Sequence, residues 1–400
     1  MLDRNRLSRR GFVGGVATAM GYLTFKSPMD LLASEPGAAR RARELLPLSM
    51  VHEEYDQLAH LAFNENPYGP TDTVLKAMTQ AFKYANRYNF PDGNIVEAIA
   101  EHHGVKPANV VLGAGSGELL DVMGSAFAAN GKKVVGVEPS YGFVYSHVVS
   151  VKGDAITLPL TPDFRQDIPA LINAVKTHYR DVGFVYICNP NNPTGRIVTK
   201  QEIQQLLDGI PEDIPVLIDE AYFHFVEDPN YGTAVPYVLE GRPIVVTRTF
   251  SKIAALAGMR LGYGIAPPEL IKKMQPFISD SINAVVKWGG VAALRDTAAQ
   301  AQVKKVTLEL RKKTTSELES LGYPVIPSET NFFMVHLKRP VRPVIAEFAK
   351  QGVMVGRPFP PMNDYLRVSI GTSDEMLRFM TTFKDIMSRP PATAMTGNGA

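Results

Sequence analysis

Val182-Gly183-Phe184-Val185-Tyr186-Ile187-Cys188 is a continuous apolar run that stops at Asn189-Pro190-Asn191-Asn192-Pro193-Thr194-Gly195. An unbroken apolar run of this length reads as a strand covered on both faces, because a sheet with one wet face would show alternation instead. The two Asn-Pro steps and the closing glycine then make a rigid turn. Outward from this stretch, similar runs lie at Val110 to Leu112, Lys133 to Val137, Ala155 to Leu158, Val216 to Ile218, Ile244 to Thr247 and Gly262 to Ile265. Helical patterns separate them between residues 71 and 265, which implies crossover connections. The expected fold class is therefore α/β, a large domain with a mostly parallel sheet flanked by helices. From about residue 268 the rhythm changes. A long helical stretch runs through Trp288 to Leu318, and short strands follow at Asn331 to His336, Val353 to Val355 and Leu366 to Ser369. These predict a smaller C-terminal α+β domain. The expected boundaries are 1–45 for a leader and linker, 46–70 for an N-terminal arm, 71–267 for the large domain, 268–388 for the small one and 389–400 for a disordered tail.

With 400 residues, 45% of them hydrophobic, the chain can fill one large or two medium cores, which excludes a disordered protein. Forty-two Lys and Arg against 40 Asp and Glu leave a net charge of +2, so the global balance argues for neither nucleic acid nor an anionic membrane as partner. Specificity must come from a local site. The single cysteine, Cys188, excludes an intramolecular disulfide or a Cys-based metal cluster. No metal site is expected from the eight histidines either, and the adjacent pair His102-His103 reads as a solvated helix surface.

Residues 1–26 read as a basic region followed by a short apolar run. Ser8-Arg9-Arg10-Gly11-Phe12-Val13 fits the twin-arginine export pattern, and Val13 to Leu23 is too short for the roughly 20 residues that span a bilayer. The expectation is a periplasmic or otherwise exported protein, touching the membrane only through this segment. No clean small-x-small cleavage site follows at once; Ala33 and Gly37-Ala38-Ala39 are the candidates.

Ligands of open parallel sheets sit beyond the carboxyl ends of the strands. After Val110 to Leu112 comes Gly113-Ala114-Gly115-Ser116-Gly117-Glu118, small residues that open a helix and leave N–H groups for a phosphate or simply for a cap. After Val216 to Ile218 comes Asp219-Glu220-Ala221-Tyr222, a carboxylate at a strand end with a phenol three residues on. After Ile244 to Thr247 comes Arg248-Thr249-Phe250-Ser251-Lys252, with Arg260 eight positions beyond the lysine. A lysine among hydroxyls and apolar residues loses its proton more readily than a surface one, and so can form an imine.

In this order the segments resemble the pyridoxal-phosphate enzymes of the aspartate aminotransferase superfamily, fold type I, and look most like histidinol-phosphate aminotransferase. The resemblance runs from Asn64-Glu65-Asn66-Pro67-Tyr68-Gly69-Pro70 to Leu366-Arg367-Val368-Ser369-Ile370-Gly371-Thr372. It implies a seven-stranded large-domain sheet and pyridoxal 5′-phosphate as cofactor. Lys252 resembles the lysine that holds the cofactor as a Schiff base and moves a proton at the substrate α-carbon. Asp219 resembles the partner of the pyridine nitrogen, and Tyr222 and Asn192 the groups that bond the ring's phenolate oxygen. Ser116 and Gly117 would join Thr249, Ser251 and Arg260 around the phosphate. Tyr141 resembles the aromatic residue stacked on the ring, core packing being its plain alternative.

For the substrate, the resemblance implies an amino acid and a 2-oxo acid, with Arg367 clamping the α-carboxylate in a fork that lysine cannot reproduce. Tyr68 resembles a tyrosine that crosses to the neighbouring subunit's phosphate, which implies a homodimer. Two positions depart from the family pattern. Gly356 follows Val355, so Arg357 comes one position late for the distal substrate contact, and Gly117 stands where an acidic residue is usual. The expected activity is amino transfer, with a phosphothreonine-type decarboxylase on the same scaffold as its rival; Arg367 would bind the carboxylate in either.

Overall fold

The computed structural model describes residues 53–390. The twin-arginine pattern, the linker to residue 45 and the tail from residue 391 lie outside the described residues. Glu53–Asp56 forms one helical turn, and the compact body begins at Leu58.

All seven strands expected of the large domain form: β2 (Val110–Gly113), β3 (Lys133–Glu138), β4 (Asp154–Pro159), β5 (Val182–Cys188), β6 (Val216–Asp219), β7 (Ile244–Thr249) and β8 (Gly262–Ile265), with β1 (Ala59–Leu61) preceding them. They join in the order β2-β8-β7-β6-β5-β3-β4. Neighbours from β4 to β7 pair in parallel, and β8 runs antiparallel to both β2 and β7. The continuous apolar runs follow from burial on both faces. Val185, Ile187, Val216, Ile218 and Val246 point into one core with the helices Ile168–Thr177 and Lys200–Gly209. Phe184, Tyr186, Cys188, Leu217 and Val245 point into the other, with Ser116–Met123 and Phe143–Ser150. This is the period-two alternation of a pleated strand. Each fully buried aliphatic side chain contributes about 1.5–3 kcal/mol relative to exposure, so the strand ends that carry the polar groups are anchored on a rigid base.

The small domain holds a three-stranded antiparallel sheet, ordered β12-β10-β9 from β9 (Val325–Ile326), β10 (Phe332–His336) and β12 (Tyr365–Ser369). A further pairing was not legible in the sequence. β1 lies parallel to β11 (Val353–Val355), so residues 59–61 are zipped to the C-terminal part of the chain. Three-residue strands are too short to show a period.

Two expectations are corrected. The helical stretch through Trp288 to Leu318 is two helices, Ala284–Arg295 and Thr297–Ser320. Asp296 breaks it, because its carboxylate accepts from Ala299 N as an N-cap and from Thr71 Oγ1 at 2.8 Å. The first helix consequently packs on Asp72–Ala81 and Ile95–His103, and the second reaches β9 and β10. His103 is also no solvated surface feature. Its Nε2 meets Tyr263 Oη at 2.8 Å, and burial beside Arg248 pulls its pKa down to about 3.

Candidate active site

Asp219 is the last residue of β6 and lies in register between Cys188 of β5 and Thr247 of β7. Its carboxylate accepts from Thr247 Oγ1 at 3.1 Å. Burial pushes its pKa up to about 7 against the hydrogen bonds from Thr247 and Ala221, and neighbouring Glu220 pushes the same way as burial. Lys252 follows the end of β7, and its Nζ donates to Phe63 O at 2.9 Å. Burial, reinforced by Arg367, draws its pKa down to about 8. A carboxyl and an amine with these pKa values both exchange protons near neutrality, as groups in working sites do.

A hydrogen-bonded cluster stands beside them. Tyr222 Oη accepts from Asn64 Nδ2 at 3.1 Å and from Asn192 Nδ2 at 3.3 Å. Arg367 Nη1 donates to Asn192 Oδ1 at 2.7 Å, and its Nη2 to Ala62 O at 2.5 Å. Ser369 Oγ extends the cluster by donating to Asn64 Oδ1 at 2.8 Å. Arg367 is buried against Phe359 and Phe332, its Nε has no partner, and no carboxylate pairs with it among the described residues. Burial pulls its pKa down to about 10. A buried cation left without a counter-charge is costly and suits an anionic ligand.

The third part is the turn before Ser116–Met123. Its N-cap is Gly115, and no side chain caps the helix, so the first-turn N–H groups are left for a ligand. Glu118 folds the turn by accepting from Ala114 N at 2.6 Å. Arg260 spans the gap, from Nη2 to Ala114 O at 3.2 Å and from Nη1 to Ser251 Oγ at 3.4 Å, and Thr249 Oγ1 donates to Ser251 Oγ at 2.8 Å. Gly115 has φ +78°, and a Cβ there would fall 2.1 Å from Arg260 Nη2; one at Gly262 would fall 2.3 Å from Ser116 N. Only glycines leave this cradle open. Space around Gly117 is open as well, so the departure from an acidic residue costs the turn nothing.

Ser116, Gly117, Tyr141, Asp219, Tyr222, Thr249, Ser251, Lys252 and Arg260 thus line one cleft of about 280 Å³. Asn192 and Arg367 adjoin it through Tyr222. Tyr141 stacks on Phe143 at 5.1 Å, and burial pushes its pKa up to about 12. A carboxylate, an uncapped helix start with an arginine, and a lysine in one cleft fit a phosphorylated pyridine ring. Two residues stand apart. Tyr68 is exposed and does not line the cleft. Arg357 Nη1 donates to Pro358 O at 2.9 Å, and its guanidinium lies 4.3 Å from the centroid of Phe359, the ring that Arg367 also faces. Sequence reasoning missed the roles of Asn64, Phe63 and Ser369. The motif at 64–70 marks the place, but their partners, Tyr222, Lys252 and one another, lie far away in the chain.

Residues 56–383 match the family described as aminotransferase class I and II. The histidinol-phosphate aminotransferase of Moorella thermoacetica is 35% identical over 338 residues, covering 82% of this chain and 85% of its own. Histidinol-phosphate aminotransferase 2 of Carboxydothermus hydrogenoformans is 36% identical over 337 residues, covering 82% and 90%. Among solved structures, a protein of Erwinia carotovora atroseptica assigned as a histidinol-phosphate aminotransferase superposes with a TM-score of 0.80 at 32% identity, covering 84% of this chain and 97% of its own. On the span matched by the family and the cleft it encloses, the chain belongs to the class I and II aminotransferases.

Proposed function

We propose that this aminotransferase moves an amino group between an amino acid, or histidinol phosphate, and a 2-oxo acid, with Lys252 holding pyridoxal 5′-phosphate as a Schiff base. The observation that carries this reading is the convergence of the Lys252 amine, the buried Asp219 carboxylate and the unpaired Arg367 guanidinium around Tyr222. When bound, the cofactor supplies an electron sink for the bond broken at the substrate α-carbon. Asp219 is suited to the ring nitrogen, because a carboxylate there keeps the nitrogen protonated. Asn192 and Tyr222 would bond the ring's phenolate oxygen and Tyr141 would cover the ring face. Ser116, Gly117, Thr249, Ser251 and Arg260 would hold the phosphate. Arg367 would fork onto the substrate carboxylate, and Lys252 would take and return the α-proton, a task matched by its lowered pKa.

Histidinol phosphate as substrate draws its support from the names of the relatives; Arg357, close to Arg367 over Phe359, is the group suited to a distal anion. Half-reactions with histidinol phosphate, glutamate and phenylalanine, followed by cofactor absorbance, test the reading. Fast conversion with glutamate and histidinol phosphate supports it, aromatic preference would replace the substrate, and release of carbon dioxide in place of an oxo acid would make the enzyme a decarboxylase. Tyr68, 46% exposed, is suited to reach a second copy in a homodimer; sedimentation of the wild type and loss of cofactor affinity in Tyr68→Phe are the expected signs. Export rests on Ser8 to Val13, and translocation of a folded reporter fused to residues 1–45 tests it.

A further inference from the structure

The roles above leave a buried ion pair unused. Glu220 follows Asp219 and Arg248 precedes Thr249, and the two are 0% and 3% exposed. Arg248 donates to Glu220 Oε2 through Nη2 at 2.7 Å and Nε at 3.1 Å. Thr233 Oγ1 donates to the same oxygen at 2.9 Å while accepting from Arg248 Nη2 at 2.8 Å, and Ala234 N donates to Oε1 at 2.7 Å. The guanidinium also lies 3.6 Å from the centroid of Phe223. Tyr263, Tyr231, His102, His103 and His224 are the other titratable groups facing the pair.

Such a pair is weak evidence for stability, because desolvating two ions costs several kcal/mol each. Its position suggests another role. Asp219 and Thr249 line the cleft, whereas Glu220 and Arg248 do not. Glu220 N donates to Thr247 O at 2.9 Å, so the ends of β6 and β7 are tied by backbone and side chains together. Glu220 also places a second negative charge beside Asp219, and like charges at this range favour protonation of one of them.

We infer that Arg248 and Glu220 are positioning residues for amino transfer: set across the ends of β6 and β7, Arg248 cancels the Glu220 charge so that Asp219 stays ionised. The inference rests on the proposed role of Asp219 at the cofactor's ring nitrogen. Without Arg248, Thr233 Oγ1 and Ala234 N are the donors left to the Glu220 carboxylate, and Asp219 bears the repulsion.

The test loads wild type, Arg248→Met, Arg248→Lys and the double variant Glu220→Met with Arg248→Met with pyridoxal phosphate, and follows the half-reaction with L-glutamate between pH 6 and 9. Arg248→Met is expected to be slower by about tenfold at pH 7, because Asp219 holds its proton there more tightly by a similar factor, with the deficit shrinking as pH rises. The double variant carries no stray charge and should return to within about threefold of wild type, since an apolar pair of similar volume is tolerated. Arg248→Lys keeps the charge without the fork and should keep the wild-type pH midpoint. A wild-type pH profile in Arg248→Met, or a double variant as impaired as the single one at every pH, overturns the inference. A wild type that takes up no pyridoxal phosphate overturns the functional reading instead, so the two failures are distinct.

Discussion

Asn192 and Arg367, separated by 175 positions in the chain, are joined by a 2.7 Å hydrogen bond from Nη1 to Oδ1. The bond links the loop after β5 of the large sheet to β12 of the small one. It also fixes the guanidinium beside Tyr222: Nη1 is held by Asn192 and Nη2 by Ala62 O, while the buried Nε has no partner. Three distant segments, at Ala62, Asn192 and Arg367, thereby meet beside the cleft.

Arg367→Lys keeps the charge but loses the planar fork. Hydrogen bonds to charged groups are worth about 1.5–3 kcal/mol, so KM for amino and oxo acids should rise roughly 10- to 100-fold, with a smaller change in kcat. Steady-state kinetics on both half-reactions measure it.

Lys252→Ala would remove both the proposed covalent anchor and the proposed proton carrier. Transamination should fall by at least about 10³-fold, and the cofactor should bind without the absorbance of a lysine adduct. A variant that retained either property would refute the proposed mechanism.

Asp219 couples function to stability in the cofactor-free protein. Its folded-state pKa of about 7 lies above the ordinary carboxyl range, so the folded chain holds a proton that the unfolded chain has released from about pH 4 upward. The stability this contributes is complete at low pH and is lost as pH rises through 7. Lys252 acts oppositely at higher pH: with a folded pKa near 8, its cost is greatest below that and is relieved between about 8 and 10.4. Asp219→Asn should therefore stabilise the cofactor-free protein at pH 7.5 by on the order of 1–3 kcal/mol in urea unfolding, and by little at pH 4. The same variant should lose amino transfer by more than about 100-fold.

Gly115→Ala meets two obstacles, a left-handed backbone at φ +78° and Arg260 Nη2 at 2.1 Å from the new Cβ. With ψ at 164°, a conformation essentially reserved for glycine, the backbone strain alone is about 1–3 kcal/mol. Cofactor affinity should weaken tenfold or more, read by fluorescence titration, while release of Arg260 makes the loss steeper for pyridoxal phosphate than for unphosphorylated pyridoxal.

Much of the fold was legible because burial on both faces writes itself as unbroken apolar runs, and β5 and the first three residues of β6 and of β7 are such runs. Asp219, Lys252 and Arg260 were legible for a related reason: Asp219 ends β6 and the other two follow β7, strands whose ends the sequence marks. Asn64 and Ser369 were not. Their bond joins the segment after β1 to the end of β12, a contact between residues 305 positions apart that no local pattern encodes. The break at Asp296 was hidden too, because an N-cap between two helical patterns leaves the apolar period almost intact.

By itself, then, the sequence determined the α/β layering, the strand ends and the order in which the chemical groups arrive, since each follows from local periodicity and turn chemistry. Only the tertiary structure decided which of those groups meet. The join of Arg367 to Asn192, the hold of Phe63 on Lys252 and the Arg248–Glu220 pair behind Asp219 are all set by long-range packing. The raised pKa of Asp219 and the lowered ones of Lys252 and Arg367 follow from the burial that packing imposes, and short-range sequence pattern carries no record of it.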